Sequence, residues 1–389
     1  MKFYQILACL LLVALCACET SGTSDSDPYT YFVTRLGSDT LAIERFQQHD
    51  NQVIAHVVLR SPSTKLMSYQ LDLDETGGIK TLTRFDPPDT YFESIGSVIS
   101  QKASLSGDSL VNEVLTGNGD MRRMAMANVS GTLPFIDMVH WPFELAFQNA
   151  VKSENDSIDQ KLLTGRRVSN FIIHKVSADS LTLRHPSRGV MGVSIDHEGN
   201  LLKLDAALTT RKLVVTRVGK LDFEAIANSF LERDKNGSPF GSLSGAITED
   251  FSFNDADFKV SYGSPSKRGR TIFGGIVSWG QRWRTGANRA THFSTSKDLK
   301  IGSLAVPAGD YTLFTIPEAD GGTLIINKQT GQNGRSYNQE MDLGRVPMTI
   351  GTQTEITEAF TIKVEEHDSG GVLKLIWDQT FFSVNFSID

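Results

Sequence analysis

The side chains most able to do chemistry concentrate in the last third of the chain. Between residues 258 and 297 there is no Asp or Glu, yet Lys259, Lys267, Arg268, Arg270, Arg282, Arg284, Arg289 and Lys297 occur there, with Trp279 and Trp283 among the arginines. A guanidinium makes planar, two-pronged contacts with carboxylate or phosphate and stacks on indole faces, so these residue types point to an anionic ligand or an acidic sugar. Read as a strand, the segment turns Trp279 and Trp283 to one side and Arg282 and Arg284 to the other. The candidate ligand-binding residues are Arg268, Arg270, Trp279, Trp283, Arg284 and Asn288. The plainer alternative pairs the arginines with Asp250, Asp255, Asp257, Glu365, Glu366 and Asp342 across a sheet and puts the tryptophans in its core.

Signatures of catalysis are sparse. There is no His-Glu-x-x-His, no Gly-x-Ser-x-Gly, no phosphate-cradling loop and no metal-binding spacing among the eight histidines, so no metal and no cofactor are expected. Ser264-Pro265-Ser266-Lys267 fits Ser-x-x-Lys, in which a lysine activates a serine one helical turn away. Ser-Pro-Ser followed by Arg-Gly-Arg reads instead as a loop between strands, and Ser264→Ala is expected to leave any activity intact. The competing enzyme reading is a metal-free hydrolase or lyase using Asp342, Asn327, Tyr337 and His292, with the arginines as oxyanion clamps. The balance leans to a binding or assembly module over an enzyme.

The elements that must position these residues are mainly β. Tyr31 to Leu36, a Gly37-Ser38-Asp39 turn and Thr40 to Phe46 form a hairpin pattern with period 2. Tyr69 to Leu73 before Asp74-Glu75-Thr76-Gly77-Gly78 shares one design with Gly192 to Ile195 before Asp196-His197-Glu198-Gly199-Asn200. Helices are predicted over Pro142 to Val151, with Phe143, Phe147, Ala150 and Val151 on one face, and over Asp222 to Arg233, with Phe223, Ile226, Ala227 and Phe230 on one stripe. The expected fold is an antiparallel N-terminal meander, a half-barrel by fold-level analogy, holding one or two helices, followed by an all-β sandwich-like domain. The domains divide as 28–220, a short helix and linker at 221–245, and 246–389. A meander wrapped around a helix also admits a carrier of an apolar or lipid ligand.

The N-terminus sets location. Lys2 precedes an apolar run from Ile6 to Ala17, the length of a signal-peptide core and short of the roughly 20 residues that span a bilayer. The small Ala17 directly before Cys18 makes Cys18 the expected lipidated residue, whereas Cys16 follows Leu15 and Cys9 comes too early in the run. Residues 1–17 are then a lipoprotein signal peptide and 18–27 an anchor and tether, with the body held in the cell envelope, at the outer membrane facing the periplasm or the cell surface. All three cysteines fall in this segment, which leaves the body without thiol chemistry. The net charge of −7 argues against a nucleic-acid partner. Partners are expected to be the membrane, through Cys18, and an unidentified small molecule, glycan or envelope protein.

The run Tyr262-Gly263-Ser264-Pro265-Ser266-Lys267-Arg268-Gly269-Arg270, with Ile272-Phe273-Gly274 and Trp283-Arg284-Thr285-Gly286-Ala287-Asn288, resembles the core of the bacterial family catalogued as domain of unknown function 2911. Pro307-Ala308-Gly309-Asp310-Tyr311-Thr312-Leu313, Ile325-Ile326-Asn327-Lys328, Asp342 and Arg345 extend the resemblance, which is collinear from about Phe251 to Asp389. The pattern places Arg at 264, Trp near 322 and Trp at 333, where this chain has Ser264, Gly322 and Asn333. The resemblance implies an all-β domain in envelope proteins of Bacteroidota-like bacteria and assigns no reaction.

Overall fold

The computed structural model describes residues 27–90, 92, 97–368 and 370–389. The expected signal peptide, Cys18 and the tether up to residue 26 lie outside the described residues. The molecule is mainly β, with two sheets and, among the described residues, two α-helices.

Local turn chemistry builds the first sheet. Strands Thr30–Leu36 and Asp39–His49 are joined through Gly37 and Ser38. Gly37 has φ +63, and a Cβ there would lie 1.9 Å from the Arg268 carbonyl oxygen, so this turn demands glycine twice over. In the two look-alike hairpins the device is one carboxylate. Asp74 Oδ1 accepts from the N–H of Thr76 (2.8 Å) and Gly78 (2.9 Å), and Asp196 Oδ1 from those of Glu198 (3.0 Å) and Asn200 (2.9 Å).

Fifteen strands between Thr30 and Val218 make this sheet, and its middle is the pairing of the first strand with the last, Tyr31 opposite Val218 and Arg35 opposite Val214. From the first strand the order runs outward along the chain to Met121–Ala127, and from the last it runs backward to Leu133–Pro134. Each neighbouring pair is antiparallel except Leu133–Pro134, which runs parallel to Ser157–Leu163. The sheet curls until Ile79 N–H donates to the Thr132 carbonyl at 2.8 Å.

Helix α1 (Trp141–Lys152) lies inside that curl. It is buried on more faces than a single stripe, because Trp141, Leu145 and Ala146 join Phe143, Phe147 and Ala150 in one core with Phe32, Tyr69, Phe171 and Leu204. His140 supplies no side-chain cap. The fully buried Glu44, from the strand Asp39–His49, takes that role by accepting from the N–H of His140 (2.8 Å) and Trp141 (2.9 Å), a carboxylate at the positive end of the helix dipole. One turn on, burial pushes the Glu144 carboxyl up while Arg217, 2.5 Å away, pulls against it. Helix α2 (Phe223–Lys235) starts at Asp222, whose side chain accepts from Ala225 N–H, and lays Phe223, Ala227 and Phe230 on the opposite face of the sheet, over Tyr31, Ile43 and Val58.

The second sheet has nine strands from Ser244 to Ile388. The first part of the long strand Asp342–His367 pairs with Gly321–Asn327; its register against Gly370–Ile388 breaks between Thr352 and Thr361. Its last part crosses Ala256–Pro265, where Ile362 N–H donates to Tyr262 Oη (3.1 Å) and Ser264 Oγ donates to the Phe360 carbonyl (2.7 Å). The sheet thus folds over itself and encloses Phe258, Val260, Phe293, Leu313, Phe360 and Trp377. Residues 266–290 contain no named strand, so the expected alternation of Trp279 and Trp283 against Arg282 and Arg284 does not form. Glycines at 269, 274, 275, 280 and 286 interrupt any period-2 run there.

Candidate functional site

Three hairpin turns of the first sheet fall at one end of it: Gly37–Ser38, Pro186–Arg188, and the longer turn from Ala206 to Leu213. That end docks against segment 266–290. Ser38 N–H donates to the Arg268 carbonyl (2.9 Å), and the Arg268 guanidinium contacts Asp39 (2.7 Å) and the Phe240 carbonyl (2.7 Å) while sitting 3.8 Å from the Phe240 ring centre. Arg268 is therefore a clamp between the two halves, and its partner Asp39 was not among the carboxylates weighed from sequence.

Beside this clamp a cleft of about 370 Å³ opens between the two sheets. Its walls carry Arg270, Trp283, Arg284 and Asn288 from the second half and Arg188, Arg211 and Lys212 from the hairpin turns of the first. Of the six expected residues the cleft gathers Arg270, Trp283, Arg284 and Asn288; Arg268 lies to one side, and Trp279 stacks on Phe273 at 5.6 Å outside it. Arg188, Arg211 and Lys212 were missed. Arg188 sits in one hairpin turn and the adjacent Arg211 and Lys212 in another, and period-2 patterning places the turns without saying which of them face another sheet.

The loop that presents Trp283, Arg284 and Asn288 is held tightly. Trp283 Nε1–H donates to the Gly286 carbonyl at 3.0 Å, and its ring lies against Phe360 (4.9 Å) and Trp377 (6.1 Å). Thr285, β-branched yet at φ +55, is fully buried; its Oγ1 donates to Thr315 Oγ1 and its carbonyl accepts from Thr291 Oγ1 at 2.6 Å. A Cβ at Gly263 would lie 1.9 Å from the Ala287 carbonyl oxygen, so the loop seats directly on backbone.

The electrostatics are lopsided. Among the described residues, no carboxylate lines the cleft. Arg188 and Arg211 share Asp137 behind the wall, one on each carboxylate oxygen, and although burial alone would raise Asp137, those two guanidiniums hold it below the usual carboxylate range. Arg270 donates to the carbonyls of Lys267 (3.0 Å) and Ser266 (2.5 Å), Lys212 to that of Ala207 (3.2 Å), and Arg284 only reaches that of Asn288 at 3.5 Å. Burial lowers the pKa of all three, with Arg270 adding to the effect on Lys212, Arg268 to that on Arg270 and Arg335 to that on Arg284. Partly desolvated cations are costly unless anions join them: Glu358 and Asp39 offset some of that cost for Arg270, while among the described residues no carboxylate does so for Lys212 or Arg284.

The other constellations are internally satisfied. Ser264 Oγ is spent on the Phe360 carbonyl and Lys267 Nζ pairs with Asp378 at 2.9 Å, so the Ser-x-x-Lys pair is not assembled. Asp342 accepts from Asn327 Nδ2 (2.8 Å) and Tyr337 Oη (2.7 Å) and pairs with Arg345 (3.0 Å), while His292 Nδ1 lies 3.1 Å from Thr312 Oγ1. Of the carboxylates weighed from sequence as partners for the segment's arginines, Asp250 takes Lys259, while Glu365 takes Lys374 and Asp342 takes Arg345 from outside the segment, and the segment's Arg268 pairs with Asp39 instead.

No curated protein matches the chain. Among solved structures, the crystal structure of Helicobacter pylori beta clamp in complex with 3,4-difluorobenzamide aligns at 9% identity and TM-score 0.10, covering 79% of this chain and 90% of that one, a level that carries no argument. Residues 244–386, which hold the second sheet and segment 266–290, match the family described as "Protein of unknown function (DUF2911)", and the wall formed by Arg188, Arg211 and Lys212 comes from outside that match.

Proposed function

We propose that the protein is a lipid-anchored envelope protein that binds an anionic ligand, a carboxylate, phosphate or acidic glycan, in the cleft between its two sheets. The observation that carries the reading is the convergence of Arg188, Arg211, Lys212, Arg270 and Arg284 on one cavity that no carboxylate lines among the described residues, in a chain of net charge −7. Trp283 supplies an indole edge for the apolar face of a sugar ring, and Asn288 a neutral donor and acceptor. Anchoring through Cys18, removal of residues 1–17 and an outer-membrane location rest on the N-terminal pattern of Lys2, the apolar run to Ala17 and the cysteine after it.

The test is thermal unfolding of the full chain with inorganic phosphate, citrate and glucuronate, beside Arg284→Ala. Ligand at 100 times its dissociation constant adds about 2.7 kcal/mol of stability. Loss of one charge-assisted contact, worth about 1.5–3 kcal/mol, is expected to weaken binding roughly ten- to hundredfold in the variant. No shift with any anion, or a shift that Arg284→Ala leaves intact, sinks the reading.

A further inference from the structure

The cleft does not end at its arginines. Arg188, Thr209 and Arg211 line it on one side, and the same three residues line a second, smaller pocket of about 30 Å³ beneath the N-terminal end of α1. That pocket is bounded mainly by Phe135, Val139, Phe143, Met191, Ala206 and Leu213, with the His140 and His185 rings and the arginine-paired Asp137 also in its lining. At the shared wall the two arginines are tied to Asp137 through their terminal nitrogens, Arg188 also lies 5.6 Å from the Phe135 ring, and the buried Nε of Arg211 has no hydrogen-bond partner among the described residues. Leu208, on the rim of the cleft, is 84% exposed. A charged seam with an orphaned donor, a mainly apolar pocket behind it and an exposed leucine in front is the lining an amphipathic anion matches: charge to the guanidiniums, hydrocarbon past them.

We infer that the anion bound in the cleft carries a short apolar group, which enters the pocket beneath α1 beside Arg188 and Arg211. The inference rests on the anion-binding reading and narrows it. The small volume restricts the group to a short alkyl or branched substituent and excludes a full acyl chain with α1 in place.

Titration calorimetry on the full chain with acetate, propanoate, butanoate and hexanoate, and with inorganic phosphate as an anion without a tail, separates the two ideas. Affinity is expected to rise about fourfold per added methylene and to level off once the pocket is full. Ala206→Val, which narrows the pocket without touching a charge, is expected to flatten the series while acetate and phosphate bind as before. Equal affinity for acetate and hexanoate, with phosphate binding retained, overturns the inference and leaves the anion reading standing. A rising series that persists in Ala206→Val, in protein whose melting midpoint shows it folded, also overturns it by placing the tail elsewhere. Absence of binding by every anion removes the anion reading and this inference together.

Discussion

Arg268 and Arg284 are separated by sixteen positions in one basic segment, yet their surroundings give them opposite consequences. Arg268, its side chain 9% exposed, bonds to Asp39 and a carbonyl and stacks on Phe240, so Arg268→Ala leaves a void and partners without a donor. It is expected to lower the unfolding free energy by about 3 kcal/mol in urea titration. Among the described residues Arg284 has no carboxylate partner, so removing it relieves a partly desolvated charge. Arg284→Ala is expected to leave the ligand-free stability unchanged or raise it by up to ~1 kcal/mol while binding weakens, a stability cost kept for a site. Lys212 adds a pH signature. Burial and Arg270 depress its pKa, so the free site sheds that proton at a lower pH than an ordinary lysine does, and anion affinity is expected to fall as pH rises through that depressed value. In Lys212→Arg the decline should vanish, which titration at several alkaline pH values reads directly.

At the scale of elements, the hairpins were legible and the capping of α1 was not. Asp74 and Asp196 act on residues two and four positions away, so the turn, the strand before it and the strand after it are written side by side. The carboxylate on the N-terminus of α1 belongs to Glu44, 96 positions from His140, on a strand whose pairing is set by other strands. Glu44→Gln keeps the size but gives up the charge that faces two helix N–H groups, and is expected to cost about 1–3 kcal/mol, seen as a lower urea midpoint with an unchanged slope. The basic segment misled a strand-based reading for the converse reason: its glycines break periodicity, and what shapes the segment is contact with Gly263, Phe360 and Trp377 elsewhere.

At the scale of the whole molecule, burial lowers three histidines, His56, His185 and His292, and the first two couple folding to pH most strongly. Burial, with Arg45 bonded to its Nδ1, brings His56 down to about 3, and burial with Arg188 brings His185 down to about 4. Both values lie below the unfolded 6.5, so as pH falls it is the unfolded chain that takes up protons first. The stability from these neutral rings is complete above pH 6.5 and drains away between pH 6.5 and 3, at up to about 1.4 kcal/mol per pH unit for each ring. Urea midpoints measured across that range should decline on acidification, and His56→Gln, which still offers Arg45 an acceptor, should make the decline shallower.

What the sequence determined by itself is what depends on neighbours along the chain: period-2 strands, Asp- and Gly-built turns, the two helices, and a body from which cysteine is absent. The leader and Cys18 are a reading of the same local kind. Tertiary structure alone decided that Tyr31 pairs with Val218 across the whole first sheet, and that the sheet end so formed brings Arg188, Arg211 and Lys212 to Arg270 and Arg284. Those charges share no local pattern because the force that assembles them is the burial of distant apolar faces, and the charges themselves only ride on the turns that the burial brings together.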